Sequence, residues 1–457
     1  MKLAVDPALG KRIASLAAPV VLAMMSQTAI NLVDHALIGR LPTEEASSGQ
    51  TAVTISLILM WAVGGSLSAL SVGTQALTAR RFGEGRAREA GQVMFNSLLV
   101  ALISSTVLAV VGWLLVPYVF PYFHPSPLVR SLGIPFLRWR MIGVVSMVTA
   151  MSYKSWFDGL GHTRVHMFAA LTMNVINFFL NIGLIFGKWG LPAMGVAGSG
   201  LASMISSYLG MFIMIAWSLL PEYRGQYHNY DPKALSGKQQ WEIIKLSAPS
   251  AIATIFVMSG FGLFVKIAGL LDKAAGGDIV FATVTSNIIN ILMLCFTACI
   301  AYGTATATLV GQSMGAKQVG LAERYGWEAV KIGVYITAVI GAAVALLPDS
   351  VLHVFTHHEA VVVVARPILR VCGALLPCIV TAIVLTQALF GAGNTRFVMF
   401  VEFGLHFFCL VPLAYVFGIQ LGFGIFGVWS GAFAYVLLLC VIMGWKFAEG
   451  AWKEIRI

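Results

Sequence analysis

Residues 159–164 read Gly-Leu-Gly-His-Thr-Arg, and residues 391–396 read Gly-Ala-Gly-Asn-Thr-Arg, 232 positions later. Three more motif pairs recur in the same order at offsets of 230 to 232: Leu16-Ala17-Ala18-Pro19 with Leu246-Ser247-Ala248-Pro249, Thr74-Gln75-Ala76-Leu77 with Thr306-Ala307-Thr308-Leu309, and Gly195-Val196 with Gly427-Val428. Because four motifs repeat in order at nearly one spacing, the sequence predicts two structurally equivalent halves.

The composition is that of a polytopic membrane protein. Of 457 residues, 58% are hydrophobic and 11% are charged, and the mean hydropathy is +0.86. Soluble globular chains carry about 25% charged residues, so a soluble enzyme, a disordered regulator and a coiled coil are excluded. Apolar runs of about 20 residues predict membrane-spanning helices. We predict twelve, at residues 13–39, 52–79, 92–116, 136–158, 165–187, 195–220, 246–271, 281–311, 327–347, 366–390, 397–418 and 426–447.

The predicted fold is therefore all-α, with 12 transmembrane helices in two pseudo-symmetric six-helix lobes. Residues 1–220 form the N-lobe with the first six spans, 221–245 a cytoplasmic inter-lobe linker, and 246–457 the C-lobe with the other six. Six spans per half is an even number, so both halves enter the membrane from the same side. Paired bundles of this kind are typical of secondary transporters that work by alternating access.

The basic residues indicate the orientation. The net charge is +10, but Lys and Arg lie in short segments between apolar runs, which favours contact with anionic membrane lipids over nucleic acid. With the N-terminus inside, 19 of the 29 Lys and Arg residues are cytoplasmic and 8 are on the outer side, the latter including Arg138 and Arg140, which interrupt the fourth span. Both termini are then cytoplasmic.

Polar residues within the first and fifth spans are the main candidates for a site. Asp34 lies near the outer end of the first span, where a carboxylate can be protonated when desolvated and ionised near water. Asn177 and Asn181 are four residues apart and share a helix face, and Asn174 lies on the same span. Amides suit a carboxylate, a cation or a polar drug group, although hydrogen bonding between helices explains them equally well.

The second half offers weaker candidates. Glu402 and Lys266 lie within spans, and a pairing between them in the second lobe would change the preferred substrate charge. Long side chains such as those of Lys266 and Lys154 usually extend to the membrane surface instead. His353, His357, His358 and Glu359 fall in an outer loop, where a solvated loop explains them better than a metal site. His35 and His406 lie within spans and suit either a proton relay or a structural role.

No catalytic constellation is found in the sequence. There is no P-loop, no paired-carboxylate signature and no metal-ligand motif, so we expect neither an enzyme nor a bound cofactor. The six cysteines fall inside apolar runs and read as packed small side chains.

Taken together, these motifs resemble the multidrug and toxic compound extrusion (MATE) family over nearly the whole chain. The residues that carry the resemblance are Leu16-Ala17-Ala18-Pro19, Asn31-Leu32-Val33-Asp34, Gly73-Thr74-Gln75-Ala76-Leu77, Gly159-Leu160-Gly161, Asn177-Phe178-Phe179-Leu180-Asn181, Gly311-Gln312 and Gly391-Ala392-Gly393-Asn394-Thr395. The resemblance implies an inner-membrane exporter with an outward-open V-shaped cavity that expels cationic or amphipathic compounds in exchange for Na⁺ or H⁺.

The resemblance also implies roles for individual residues. Asp34 becomes the proton or cation site, and Gln27, Asn174, Asn177, Asn181 and Ser203 become substrate or ion ligands. The first helix is expected to bend near Pro19 when Asp34 changes protonation. The NorM-type branch has two further acids in its second lobe, where this chain has Val257 and Ile379. One carboxylate among amides is a poor Na⁺ ligand set, which favours H⁺.

Other functions stay open at this stage. A flippase for lipid-linked sugars shares the two-lobed architecture but would need a strongly cationic cavity, for which only Lys266 and Lys154 are candidates. A channel or a membrane-embedded enzyme lacks support from any clustered set of residues. We expect a monomer in a bacterial-type plasma membrane.

Overall fold

The computed structural model describes residues 4–60, 64–274, 280–356 and 358–455. Within these ranges the chain is predominantly helical, without strands. The long helices are α1 (Pro7–Ile38), α2 (Thr43–Met60), α3 (Leu70–Gly83), α4 (Ala87–Val119), α5 (Pro127–Leu160), α6 (Thr163–Phe186), α7 (Gly195–Ser218), α8 (Gly237–Ala274), α9 (Phe281–Gly315), α10 (Val319–Leu346), α11 (Glu359–Gly391), α12 (Thr395–Leu405) and α13 (Gly424–Glu449). Eleven helical segments of the described residues are long and apolar enough to cross a membrane.

The repeated glycine motif is the same turn in both halves. Helix α5 ends at Gly161, whose φ is +85°, and the following N–H donates back to Phe157 O at 2.8 Å. The end of α11 repeats this geometry, with Gly393 at φ +89° and the Asn394 N–H donating to Leu389 O at 2.8 Å. Glycine is favoured because a left-handed conformation has no Cβ penalty there. The motif therefore stops one helix and lets the next begin two residues later.

The first glycine of the motif brings two helices together. A Cβ on Gly391 would meet the backbone carbonyl of Ala307 on α9, closer than real Cβ atoms approach. On Gly159 a Cβ would lie 2.9 Å from Thr78 Cβ and 3.0 Å from Gln75 O, both on α3. The motif pairs at 74–77 and 306–309 thus recur because they pack against the recurring glycines.

The second predicted span, 52–79, falls on two helices of the structure. Helix α2 starts nine residues earlier, at Thr43, and α3 starts at Leu70. Residues 61–63 lie outside the described residues. Gly64 and Gly65 are wound as π-helix, and the described interruption is a single turn residue, Ala69, just before α3.

The chain divides into two compact units. The first unit is Ala18–Ala251, and the second unit is Met1–Ala17 with Ile252–Ile457. Two helices are therefore divided between the units. The beginning of α1, up to Ala17, belongs to the second unit and the rest of α1 to the first. The beginning of α8, up to Ala251, belongs to the first unit and the rest of α8 to the second. The predicted lobe boundaries at 220 and 246 differ from this division.

The predicted linker is a folded part of the first unit. It contains a short helix, Pro221–Tyr227, whose Tyr223 and Tyr227 rings pack on the buried Trp156 at 6.0 and 5.4 Å between centroids. The Tyr230 hydroxyl lies 2.9 Å from that of Tyr153. Aromatic burial and hydrogen bonding stabilise this segment within the first unit.

Helix α12 continues as an irregular helix to Gln420. Residues His406–Leu410 and Val416–Gln420 are wound as π-helix, on either side of a short α segment that contains Pro412. Proline has no N–H for the carbonyl four residues earlier, so the regular ladder is interrupted here. Single π turns of this kind are frequent at functional sites.

Candidate functional site

Asp34 and the fifth-span asparagines meet in the first unit. The Asn181 Nδ2 donates to Asp34 Oδ1 at 2.7 Å and to Asn177 Oδ1 at 2.8 Å. Asn181 is fully buried on α6, whereas Asp34 is half-buried on α1. The Oδ1 of Asn181 has no hydrogen-bond partner among the described residues. The arrangement holds a carboxylate with a charge-assisted hydrogen bond and leaves an amide acceptor beside it.

Arg140 is a further member of this site that the sequence analysis missed. Its guanidinium interacts electrostatically with Asp34 from α5, and its Nη2 lies 3.0 Å from Met60 Sδ. Its Nε is buried and has no hydrogen-bond partner among the described residues. The sequence feature that could have revealed it is that Arg140 interrupts the fourth apolar run. The sequence analysis assigned this residue to the outer side of the membrane instead. The carboxylate of Asp34 therefore lies within electrostatic range of a positive charge, without an ion pair between the two among the described residues.

Two more predicted residues form separate hydrogen bonds. Asn174 Nδ2 donates to Ser26 Oγ on α1 at 2.9 Å, so α6 and α1 are joined a second time. The Asn174 Oδ1 is buried without a partner in the described part of the chain. Gln27 Nε2 donates to Asn31 Oδ1 on its own helix at 3.4 Å. Among the described residues, Asn174 therefore joins α6 to α1, whereas Gln27 is hydrogen-bonded within its own helix.

The remaining predicted residues of the first unit are buried. Ser203 is 7% exposed on α7, and its carbonyl accepts from Ser207 Oγ at 2.8 Å. Pro19 lies inside α1, which is a continuous helix from Pro7 to Ile38. A proline inside a helix removes one backbone hydrogen bond, which makes this the weakest point of α1 against bending.

A polar cavity adjoins α1 one residue beyond Asp34. It has a volume of about 440 Å³ and is lined by His35 and by polar side chains of α2, with one isoleucine: Ser47, Gln50, Thr51, Thr54 and Ile55. Gln50 Nε2 donates to the His35 carbonyl at 3.2 Å. The cavity offers hydroxyl and amide groups suited to water or a polar ligand.

In the second unit Glu402 is buried with partners other than the expected one. Tyr435 OH donates to Glu402 Oε2 at 3.0 Å, and His406 Nδ1 lies 3.4 Å from the same oxygen. Lys266 is exposed on α8 and makes no ion pair with Glu402 in the described structure. The expected Lys266–Glu402 pair is therefore replaced by contacts between α12 and α13. In the first unit, by contrast, Lys154 pairs with Asp158 at 2.9 Å.

The outer histidine loop has no metal-binding geometry in the described residues. His353 Nδ1 lies 2.7 Å from the Asp349 carbonyl and its Nε2 is 3.5 Å from Glu359 Oε1. These two hydrogen bonds raise the pKa of His353. His357 lies outside the described residues. All six cysteines are free.

Repeated units of membrane-length helices, with a carboxylate held by amides inside one of them, define a multi-pass helical membrane protein with a buried polar site. A family model described as MatE matches residues 19–183 and 249–416. The chain belongs to the MatE family, which confirms the resemblance found in its motifs.

Known proteins agree with this assignment over the full length. The "Probable multidrug resistance protein NorM" of Thermotoga maritima is 25% identical over 454 residues, covering 98% of this chain and 94% of that relative. A solved structure described as the outward-facing conformation of a multidrug resistance MATE family transporter matches with a TM-score of 0.88 at 20% identity. A MOP superfamily transporter from Pyrococcus furiosus, whose description reports a reversed polarity of its binding pocket, matches at 0.87 and 21%. Each of the two alignments covers 98% of this chain and 97% of the chain in the solved structure. The predicted class of 12 helices in two lobes is thereby confirmed.

Proposed function

We propose that this chain is a multidrug efflux transporter that exchanges H⁺ for cationic or amphipathic organic compounds, with Asp34 as the residue that carries the proton. The observation that supports this most directly is the Asn181–Asp34 hydrogen bond of 2.7 Å within a membrane-embedded unit. Membership of the MatE family and the multidrug resistance name of the Thermotoga maritima relative support export of drugs. The coupling ion is the only non-protein component that the proposal needs.

The charges around Asp34 favour H⁺ over Na⁺. A proton neutralises the carboxylate without adding a second charge, whereas a metal cation bound there would be repelled by the guanidinium of Arg140, which interacts electrostatically with Asp34. Na⁺ also prefers several oxygen ligands, as hard cations do, and here one carboxylate is already engaged by an amide N–H. A cationic substrate and a proton would thus compete for the same negative charge.

The substrate-binding residues of this proposal are the amides and hydroxyls near the carboxylate. Asn177, Asn181 and Asn174 are all buried on α6, and two of them have an unpartnered carbonyl oxygen in the described structure. An ammonium or a protonated amine is a donor that fits such acceptors. Ser203 and Gln27 extend this set in the proposal.

We further propose that the protein acts as a monomer in a bacterial-type inner membrane with both termini in the cytoplasm. The excess of Lys and Arg in the segments assigned to the cytoplasmic side supports this orientation. Release of Asp34 from its hydrogen bond is proposed to bend α1 at Pro19 and so to change access to the site.

The test is ethidium export from proteoliposomes under an imposed H⁺ or Na⁺ gradient. We expect transport with the H⁺ gradient, and loss of at least tenfold in Asp34→Asn. The double variant Asp34→Asn with Asn181→Asp exchanges the two ends of one hydrogen bond and should regain part of the activity. Asp349→Asn, which removes a carboxylate from the exposed pair with Arg366, is the control and should transport normally.

Three results would contradict the proposal. Transport driven by Na⁺ alone would reverse the choice of ion. Full activity in Asp34→Asn would remove Asp34 from the coupling. Movement of a fluorescent lipid-linked sugar without any ethidium export would favour a flippase instead.

A further inference from the structure

The second unit contains a buried group of three polar side chains, Glu402, His406 and Tyr435, which we call the C-unit cluster. Their exposed fractions are 8%, 0% and 7%. Glu402 Oε2 accepts from Tyr435 OH at 3.0 Å and lies 3.4 Å from His406 Nδ1. The centroids of the imidazole and phenol rings are 4.6 Å apart. Such groups are costly inside a membrane and mark functional sites there.

The imidazole of His406 has one nitrogen assigned and one without a partner. Its Nδ1 lies 2.9 Å from the Glu402 carbonyl oxygen, which can only accept, so Nδ1 carries a hydrogen. The Nε2 of the neutral ring is then a lone pair. It is buried and has no hydrogen-bond partner among the described residues. A buried acceptor left without a donor destabilises the fold, so its retention calls for an explanation.

The surrounding helix is shaped around this ring. Gly260 on α8 faces His406, and a Cβ there would run into the imidazole. The Phe261 ring packs edge-on against both His406 and Tyr435. His406 also begins the first π-helical segment of the chain after α12. The titratable groups near Glu402 and His406 are Tyr435 on α13 and Cys409 on their own helical segment.

The cluster occupies positions equivalent to predicted site residues of the first unit. At the 232-residue spacing of the repeat, His406 corresponds to Asn174 and Tyr435 corresponds to Ser203. Both of those positions are buried in the first unit as well. The two units thus carry polar side chains at both of these equivalent positions. At these two positions the side chains of the second unit are titratable, whereas those of the first unit are not.

We infer that the C-unit cluster binds one exchangeable proton, a second one in addition to that on Asp34. All three side chains are buried, and a single carboxylate is a poor cage for a metal cation, which leaves a proton as the ligand that fits best. The incoming proton takes the Nε2 lone pair of His406, and the resulting imidazolium forms an ion pair with the Glu402 carboxylate. Uptake therefore replaces an uncompensated buried carboxylate by a neutral pair, which is favourable in a membrane. Proton binding by the cluster is inferred independently of the proposed function. Only the use of this proton in transport rests on that function.

The test is infrared difference spectroscopy of the full chain in detergent, between acidic and alkaline buffer and without a gradient or substrate. We expect Glu402→Gln and His406→Gln to remove the same pH-dependent bands from the spectrum, and Tyr435→Phe, which conserves volume, to shift their midpoint. Glu328→Gln is the matched control, because Glu328 is also 8% exposed but both of its oxygens are held, by Lys331 and by the Asp6 N–H. It should leave those bands in place.

The outcomes separate this inference from the proposed function. Spectra of Glu402→Gln and His406→Gln identical to that of the unsubstituted protein would overturn the inference, even if ethidium export is fully proton-driven. An unshifted midpoint in Tyr435→Phe would do the same if the other two variants do not fold. Loss of the bands together with absent proton-driven export would keep the cluster and reject the proposed function. With both correct, Glu402→Gln should export ethidium with fewer protons per molecule, whereas Asp34→Asn should not export it.

Discussion

Replacing Gly391 by alanine should destabilise the protein more than the same change at Gly159, its repeat partner. At Gly391 the new Cβ would meet the Ala307 backbone carbonyl, so α9 and α11 must separate by more than an ångström to reach an ordinary contact. At Gly159 the nearest atoms are 2.9 and 3.0 Å away, and a separation of about half an ångström suffices. Overpacking costs about 1–3 kcal/mol, and alanine returns up to about 1 kcal/mol of helix propensity.

We therefore expect a net loss of about 2 kcal/mol for Gly391→Ala and a change within about 1 kcal/mol for Gly159→Ala. For a unit of this size, 1 kcal/mol shifts the Tm by about 2–4 °C. The assay is the apparent Tm of each variant in one detergent, read from the fraction that stays monodisperse after heating.

Gly404→Ala is the matched control for this prediction. It lies within a helix, and a Cβ there would meet nothing within 4 Å, so the apparent Tm should rise slightly. An equal or larger loss in Gly159→Ala than in Gly391→Ala would refute the reasoning, since close packing against a carbonyl would then not decide the outcome.

Three other changes are expected to have measurable effects on the apparent Tm. Lys317→Gly should raise it by about 2–8 °C, because Lys317 has a φ of +59°, a left-handed conformation that costs a side chain about 1–2 kcal/mol; an unchanged or lower Tm would contradict this. Tyr230→Phe should lower it by about 2–12 °C, because the part-buried hydrogen bonds of its hydroxyl with Tyr153 and Ser218 are lost at a cost of about 1–3 kcal/mol, whereas a variant as stable as the parent would show that these bonds contribute nothing. Burial alone would raise the pKa of Glu84, but hydrogen bonding from Arg86 holds it below its ordinary value. The stability that ionised Glu84 contributes is thus present above the ordinary carboxyl pKa and is lost as the pH falls through the lowered pKa of the folded protein. Glu84→Gln should therefore be less stable than the parent at neutral pH and equally stable in strong acid. A stability difference that does not change with pH would argue against this reasoning.

Helix identity and the repeat could be predicted from the sequence because both depend on local pattern. Apolar run length gives the spans, and the Gly161 turn requires a residue tolerant of positive φ. The turn at Ala69 before α3 was missed because hydropathy does not register a change of backbone geometry within an apolar run. The segment 221–245 was interpreted as an inter-lobe linker because it is hydrophilic, and no sequence pattern shows that the rings of Tyr223 and Tyr227 are buried.

The candidate site could be predicted only as a set of residue types. Helical spacing places Asn177 and Asn181 on one face, but no local pattern gives the rotation of α6 relative to α1 that brings Asn181 to Asp34. The same limit explains Arg140, which a charge count assigns to a surface. It also explains Glu402, whose partner Tyr435 is 33 residues away on another helix.

The sharing of α1 between the units has a consequence for biosynthesis. Asp6 accepts from Arg324 at 2.8 Å, and its N–H donates to Glu328, so the beginning of the chain finds its partners more than 300 residues later. At about 5–20 residues per second, a ribosome needs roughly a quarter of a minute to a minute to reach them. The first unit can be completed from one continuous stretch while that leading segment waits. The second unit can close only after both ends of the sequence exist, which makes it the last part of the protein to mature.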